Sequence, residues 1–516
     1  MLAKTLMIQG TSSSVGKSLL VAGLCRLFAR RGVKVAPFKA QNMSNNAAVC
    51  PDGSEIGRAQ AVQAAAAFLE PTAQMNPILL KPEGHARSQV IVLGRALDTL
   101  SAAAFYQRKR QLWPVVTTAL EQLRSRFELV IIEGAGSPVE LNLAAGDIVN
   151  MAIARHAQAP VLLVGDIDRG GIFAQLLGTL WLLAPEERKL VKGLIVNKFR
   201  GDQTLFIDGV RILEKRGEAP VLGVIPFLNG LDLPEEDAVV LEHGTLAGEC
   251  VDDVSLDLAI IRLPHIANFD DFDPLRQEPG MRVRYVSSVV ELGRPDAIIL
   301  PGTKTTMADL AWLRAQGLDR AIREHADAGT AVIGICGGYQ MLGRSICDPE
   351  QVESCAIAAS GLGLLPVDTV FVREKATYRV HGDILGGPGW LGDLAGKRVQ
   401  GYEIHMGRTM SETSWLELRR ESEPGRTMRD GASDEHGRVW GCYVHGLFAN
   451  DDFRRTWLAS VGWASGGRKP PGEGPCVSGG LRPPLAKTLD DALNRLADSL
   501  EQCLKMNLLE NIIAES

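Results

Sequence analysis

Gly10-Thr11-Ser12-Ser13-Ser14-Val15-Gly16-Lys17-Ser18 follows a short apolar run at residues 5–8 and opens a helical pattern that continues to Arg31. Strand, glycine loop and helix in that order make a phosphate cradle. Small residues let successive backbone N–H groups curl around an anion, and the helix N-terminus adds its positive dipole. Lys17 is placed to neutralise the β- and γ-phosphates of ATP, and the Ser18 hydroxyl to reach Mg2+. Gly10, Thr11, Gly16, Lys17 and Ser18 are therefore the first candidate ATP-binding residues. The usual loop has four residues between its glycines, whereas Gly10 and Gly16 enclose five.

Working outward, candidate strands fall at residues 5–8, 34–37, 128–132, 160–164, 191–196 and 221–225, most of them Val/Ile/Leu-rich without polar alternation. Such runs suit strands buried on both faces of a parallel sheet. The helical pattern at 18–31 is closed by Gly32. Residues 1–233 thus read as a doubly wound α/β domain built around the phosphate loop. Residues 234–256 turn acidic, lose periodicity and read as a linker. A second α/β unit is expected over 257–460, with strands at 258–262, 283–286, 297–300 and 331–335. The segments 364–371, 377–382, 399–405 and 438–444 look antiparallel, which makes its sheet mixed. Residues 461–487 are rich in Gly and Pro and read as a flexible connector. A C-terminal helix over 488–516 is expected to dock its stripe Leu489, Leu493, Leu496, Leu500 and Leu504 on the body or on another subunit.

Composition narrows the function classes. At 516 residues, 46% hydrophobic and 22% charged, the chain cannot be disordered over most of its length. A net charge of −6 gives no overall electrostatic reason to bind nucleic acid or acidic lipid. The nine cysteines are odd in number and include no C-x-x-C pair, so reduced thiols are expected rather than a disulfide framework or zinc knuckle. The N-terminus lacks the features of a signal peptide. No apolar run approaches the roughly 18 residues of a membrane span, and a cytoplasmic protein without membrane partners is expected.

The longer glycine loop resembles that of the dethiobiotin-synthetase-like branch of P-loop proteins, whose members activate carboxyl or carbamate groups. The resemblance implies that Lys39, at the end of the second strand, faces the transferred phosphate. It likewise implies that Asn197, at the end of the strand over 191–196, reads adenine. Val130-Ile131-Ile132-Glu133-Gly134-Ala135-Gly136 is an apolar strand ending in a carboxylate beside glycines, and a carboxylate there can reach the magnesium of the nucleotide. Ser18 and Glu133 are accordingly the candidate metal ligands.

The second unit carries a different chemistry. Gly334-Ile335-Cys336-Gly337-Gly338 follows an apolar run and has the shape of a nucleophile elbow with Cys in place of Ser. The glycines permit a strained turn, and the following helix N-terminus favours the thiolate. The backbone N–H of Gly337 is one candidate oxyanion donor, and Gly302 in Pro301-Gly302-Thr303 is the second. His445, directly after a predicted strand, is the candidate base.

Together these residues resemble class I (triad-type) glutamine amidotransferases, in the branch fused to dethiobiotin-synthetase-like ATPases that amidates corrinoids in cobalamin biosynthesis. Further segments that carry the resemblance are Lys39-Ala40-Gln41-Asn42-Met43-Ser44-Asn45-Asn46, Glu55-Ile56-Gly57-Arg58-Ala59-Gln60-Ala61, Gly165-Asp166-Ile167-Asp168-Arg169 and Gly401-Tyr402-Glu403-Ile404-His405. Most class I enzymes have a Glu two residues after the His; here that position is Leu447, a departure shared by the corrinoid branch, so His445 must be oriented by another group. The resemblance implies a ligase that hydrolyses L-glutamine at Cys336 and His445. With ATP and Mg2+ it would amidate the b, d, e and g carboxylates of (adenosyl)cobyrinic a,c-diamide. An alternative is cobyrinic acid a,c-diamide synthase or a related amidoligase. Gln41, Asn42, Asn45, Asn46, Asp166 and Asp168 are the candidate corrinoid contacts.

Overall fold

The computed structural model describes residues 2–84, 86–143, 146–231, 233–234, 256–354, 356–463 and 485–516. The expected connectors at 234–256 and 461–487 lie outside the described residues apart from their ends.

Six parallel strands form the N-terminal sheet, in the order Val221–Pro226, Val191–Phe199, Val161–Asp166, Lys4–Gly10, Leu129–Glu133, Val35–Phe38. Their apolar runs are buried on both faces, which is why they carry no polar alternation. The register pairs Ile8 with Glu133 and Asp166 with Asn197, so the carboxyl ends of the strands come level beside the glycine loop. Ligands of such sheets bind at this edge, where the crossovers diverge. The helix Lys17–Arg30 leaves the loop there and ends before Gly32, whose φ of +83° reverses the chain.

The second sheet runs Met281–Val286, Leu256–Ile261, Ala297–Leu300, Ala331–Ile335, Val439–Cys442, Ala432–Ser433. Only the last strand is antiparallel to its neighbour. This corrects the antiparallel expectation for 438–444: Val439–Cys442 pairs parallel with Ala331–Ile335, because a strand delivering His445 beside the elbow must point the same way as the strand that delivers Cys336. The antiparallel pairing lies in a separate sheet around the long strands Asp368–Ile384 and Arg398–Met410. A further four-stranded sheet of Gln41–Met43, Ile78–Gly84, Arg87–Val92 and Arg95–Ser101 has no counterpart in the sequence-based strands.

The C-terminal segment forms two helices, Leu485–Cys503 and Met506–Ala514, rather than one. The break occurs because the Lys505 N–H donates to the Leu222 carbonyl at 2.8 Å, tying the chain to the edge of the N-terminal sheet. Of its expected stripe, Leu493, Leu496, Leu500 and Leu504 are buried in the core that flanks the phosphate-loop helix, and Leu489 packs partly buried against it. The same face carries ion pairs Arg26–Asp490 and Arg30–Asp498, each at 2.7 Å. The stripe therefore docks on the body. The buried leucines supply most of the docking energy, at roughly 1.5–3 kcal/mol each, while an exposed pair such as Arg30–Asp498 adds at most about 1 kcal/mol.

The two lobes meet in a mixed seam. Ala47, Val49, Leu79 and Ile91 of the first pack with Ile404 and Tyr402 of the second. Beside them Glu55 is buried between Lys81 at 2.8 Å and Lys375, from the other lobe, at 2.5 Å. Burial works against its charge, but Lys375 and Lys81 outweigh it and draw the carboxyl down to about 2. Among the described residues no helix is long and apolar enough to cross a membrane.

Candidate active site

At the carboxyl edge of the first sheet the expected nucleotide residues converge. Gly16 takes φ +98° to turn the loop into the helix. Lys17 reaches across the cradle, its Nζ donating to the Ser12 carbonyl at 2.9 Å and to the Gly136 carbonyl at 3.1 Å. The Ser18 hydroxyl donates to Glu133 Oε1 at 2.8 Å, and Lys39 Nζ lies 2.8 Å from the same oxygen. Gln63 donates to Glu133 Oε2 at 2.6 Å. Burial opposes ionisation of Glu133, yet the Lys39 ammonium and the hydrogen bonds from Lys39, Gln63 and Ser18 hold its carboxyl below the usual range. A hydroxyl and an ionised carboxylate side by side at a phosphate cradle are the hard oxygen donors that suit magnesium, which takes few protein ligands and completes its shell with phosphate and water.

The remaining expected residues divide. The backbone N–H of Thr11 donates to the Val164 carbonyl at 2.9 Å. Asn197 donates through Nδ2 to the Val15 carbonyl at 2.8 Å, behind the loop. Asp166 is buried against Lys198 at 2.9 Å, and Lys198 also donates to the Ser14 carbonyl. Asp168 pairs with Arg200 at 2.6 Å. Asn42 and Asn46 are buried inside the fold: Asn42 donates to Gln60 at 2.9 Å, and Asn46 accepts from the Phe269 N–H across the seam at 3.4 Å. Gln41 and Asn45 differ, because among the described residues their buried amide oxygens have no donor.

In the second lobe Cys336 sits at φ +51°, ψ −107° between the strand Ala331–Ile335 and the helix Gly337–Leu342. A side chain in this conformation is strained, and the surrounding packing enforces it. A Cβ on Gly338 would lie 2.0 Å from the Leu300 carbonyl oxygen, so only glycine lets the helix close over the sheet. The Cys336 thiol points to the Ile404 carbonyl at 3.6 Å. Gly302 lies against the His445 ring, where a Cβ would stand 2.8 Å from Cε1. Gly337, next to Cys336 in the chain, packs on Thr303, which brings the Gly302 loop against the elbow.

What orients His445 is Asp271, which the sequence-based reading missed. His445 Nδ1 lies 2.6 Å from Asp271 Oδ2, and the Gly446 N–H donates to Asp271 Oδ1 at 2.8 Å. Leu447, at the position of the usual Glu, is buried in the core instead. Burial alone would lower the His445 pKa, but the Asp271 carboxylate and then the Cys336 sulfur raise it to about 10. Thiol, imidazole and carboxylate thus lie side by side, the acid on the short helical turn Phe269–Phe272. The cavity in front of Cys336 and His445 is lined by Thr303 and Gln340, and also by Lys81 and Gln89 of the other lobe. Gln340 is locked by Thr306 at 2.8 Å and Tyr443 at 3.2 Å.

Both lobes have known counterparts. Residues 6–240 match the CobQ/CobB/MinD/ParA nucleotide binding domain and residues 257–453 the CobB/CobQ-like glutamine amidotransferase domain. The chain is 52% identical to the cobyric acid synthase of Herpetosiphon aurantiacus over 100% of its own length and 99% of the relative's. It is 54% identical to that of Chloroflexus aurantiacus over 99% and 100% of the two lengths. With that of Roseiflexus castenholzii it shares 57% identity over 90% and 93%. A nucleotide-binding lobe fused to a thiol glutaminase, and full-length identity above one half, lead to one conclusion: the chain belongs to the cobyric acid synthase family.

Proposed function

We propose that the chain amidates the b, d, e and g carboxylates of (adenosyl)cobyrinic a,c-diamide in turn, with ATP as activator and L-glutamine as nitrogen donor. The observation that carries this reading is the cavity at Cys336, which residues of the nucleotide lobe wall on one side. Ammonia made there is released against the lobe that uses it.

The chemistry follows from the residues. The Cys336 thiolate attacks the glutamine side-chain amide, and the N–H groups of Gly302 and Gly337 receive the oxyanion. His445, held by Asp271, gives its proton to the departing ammonia, leaving a γ-glutamyl thioester that water hydrolyses. A carboxylate does not react with ammonia at neutral pH, so it must first be phosphorylated. The γ-phosphoryl of ATP passes to a corrinoid carboxylate oxygen with release of ADP, and ammonia then displaces phosphate from the acyl phosphate to leave the amide. Lys17 and Lys39 offset charge on the transferred group. Ser18 and Glu133 are the residues to hold Mg2+, whose role is to neutralise the phosphates. Gln41 and Asn45, near Lys39 in the chain, carry buried amide oxygens without a donor among the described residues, and these are the groups to accept from N–H donors of the corrinoid's amide arms. The described cysteines are all free thiols, in keeping with a cytoplasmic enzyme.

The test uses amide-15N-glutamine, ATP and Mg2+ with cobyrinic a,c-diamide, read by mass spectrometry. Four labelled amides per corrinoid are expected. Label entering only when cobyrinic acid is supplied, at its a and c carboxylates, would establish the alternative diamide synthase instead.

Asp271 has its own signature. Asp271→Asn removes the carboxylate that most raises the His445 pKa, so that pKa falls from about 10. The imidazolium that protonates ammonia is then lost earlier as pH rises. The alkaline limb of the glutaminase pH profile should move down, with a fall of roughly 10²-fold or more in kcat.

A further inference from the structure

The helix Arg58–Ala66 belongs to the nucleotide lobe, yet its first two turns touch two different sites. From its inner face Gln60 and Gln63 donate to Glu133 Oε2, at 3.4 and 2.6 Å. At its N-terminus Arg58 crosses the seam. Arg58 Nε lies 2.9 Å from Asp270 Oδ2, and Nη2 donates to the Tyr402 hydroxyl. Neither partner is incidental to the glutaminase. Asp270 immediately precedes Asp271, which holds His445. Tyr402 stacks on the His445 ring, with centroids 5.3 Å apart and planes 18° apart, and the two residues exchange backbone hydrogen bonds at 3.1 and 2.9 Å. The same turn is gripped again where the Ala47 N–H donates to Asn268 Oδ1 at 2.9 Å, and the Arg58 N–H donates to the Asn46 carbonyl.

We infer that Arg58 is a positioning residue for the glutaminase: through Asp270 and Tyr402 it holds the Asp271–His445 pair against Cys336, so the glutamine site is complete only with this helix of the other lobe docked on it. Two adjacent buried acids need such a cation. Burial raises the Asp270 pKa above its ordinary value, Arg58 opposes that rise, and Asp271 adds to it. Without Arg58 the strain between the acids falls on the turn that aims Asp271.

The inference rests on the function proposed above, and its test is steady-state kinetics of the full chain with two nitrogen sources. Arg58, Asp270 and Tyr402 do not line the glutamine cavity, so the loss should fall on turnover rather than binding. Arg58→Met is expected to lower kcat with glutamine by roughly 10- to 100-fold, the scale of a misplacement near 1 Å, with KM for glutamine and ammonium-driven amidation within about twofold of wild type. Arg58→Lys should lose less, since a point charge reaches only one of the two partners. Adding Asp270→Asn to Arg58→Met should cost little more than the single change, as expected for one shared interaction. Unchanged turnover with glutamine would overturn the inference. So would a parallel fall with both nitrogen sources, the mark of a residue that only supports the fold. Failure of four-fold label transfer in wild type would instead remove the functional reading beneath it.

Discussion

Cys336→Ala is expected to abolish amidation driven by glutamine, by on the order of 10⁵-fold or more, as loss of a nucleophile does in other hydrolases. Amidation driven by ammonium salts should stay within about twofold of wild type, because nucleophile and acceptor activation belong to separate lobes. The expectation rests on what the sulfur touches. Its one hydrogen-bond partner among the described residues outside the triad is the Ile404 carbonyl. Alanine keeps the Cβ and tolerates the φ of +51° no worse than cysteine, so the elbow survives. Nothing at Lys17, Lys39 or Glu133 depends on the thiol. Loss with both nitrogen sources in a folded protein would contradict two separable sites, and retained glutamine use would displace Cys336 as nucleophile.

The same separation explains what could be read from the chain. Buried parallel strands announce themselves as apolar runs, so all six strands of the first sheet were legible, and the loops at their ends with them. The elbow was legible because its constraint is local: Gly334 and Gly338 lie within a few residues of the thiol they expose. Asp271 was not, because nothing local marks it. It sits 174 residues before His445, just beyond the acidic connector, and becomes a triad member only when the turn Phe269–Phe272 is brought under the strand Val439–Cys442. Leu447 showed that the usual acid was missing but not where its replacement lay. The strands between Ile78 and Ser101 escaped for another reason. They are joined by turns through Gly84 and Gly94, both at positive φ, and their apolar residues divide between two cores, Ile78, Leu80, Val90 and Leu100 in the nucleotide lobe and Leu79 and Ile91 at the seam, so no single apolar face marks them. Glu55–Ala61 was legible only as a family resemblance. The fold gives it content: Glu55 joins the buried lysines of both lobes and Arg58 begins the helix whose first turns touch both sites.

Glu133→Gln should remove amidation with glutamine and with ammonium alike, by on the order of 10³-fold or more, because on the proposed mechanism phosphoryl transfer would lose the carboxylate placed to hold its metal and the partner that pairs with Lys39. The substitution keeps shape and changes charge. The Lys39 ammonium, 2.8 Å from Oε1 and buried, then loses the carboxylate charge it faces there. Breaking a buried pair from one side costs about 3–5 kcal/mol, so the variant should also melt earlier. The acid dependence carries the sign. A carboxyl held below its ordinary pKa contributes stability that is fully present above the unfolded carboxylate value and is lost as pH falls through the depressed folded value. Wild type should therefore lose stability in that acid window, and the Gln variant, already without the contribution, should show a flatter curve. Ser18→Ala separates stability from metal binding. It deletes one hydrogen bond to Glu133 and leaves the Lys39 pair intact, so it should melt close to wild type yet need more Mg2+ to reach half-maximal rate with ammonium. Full ammonium-driven turnover in Glu133→Gln would remove this carboxylate from the reaction, whatever its effect on stability.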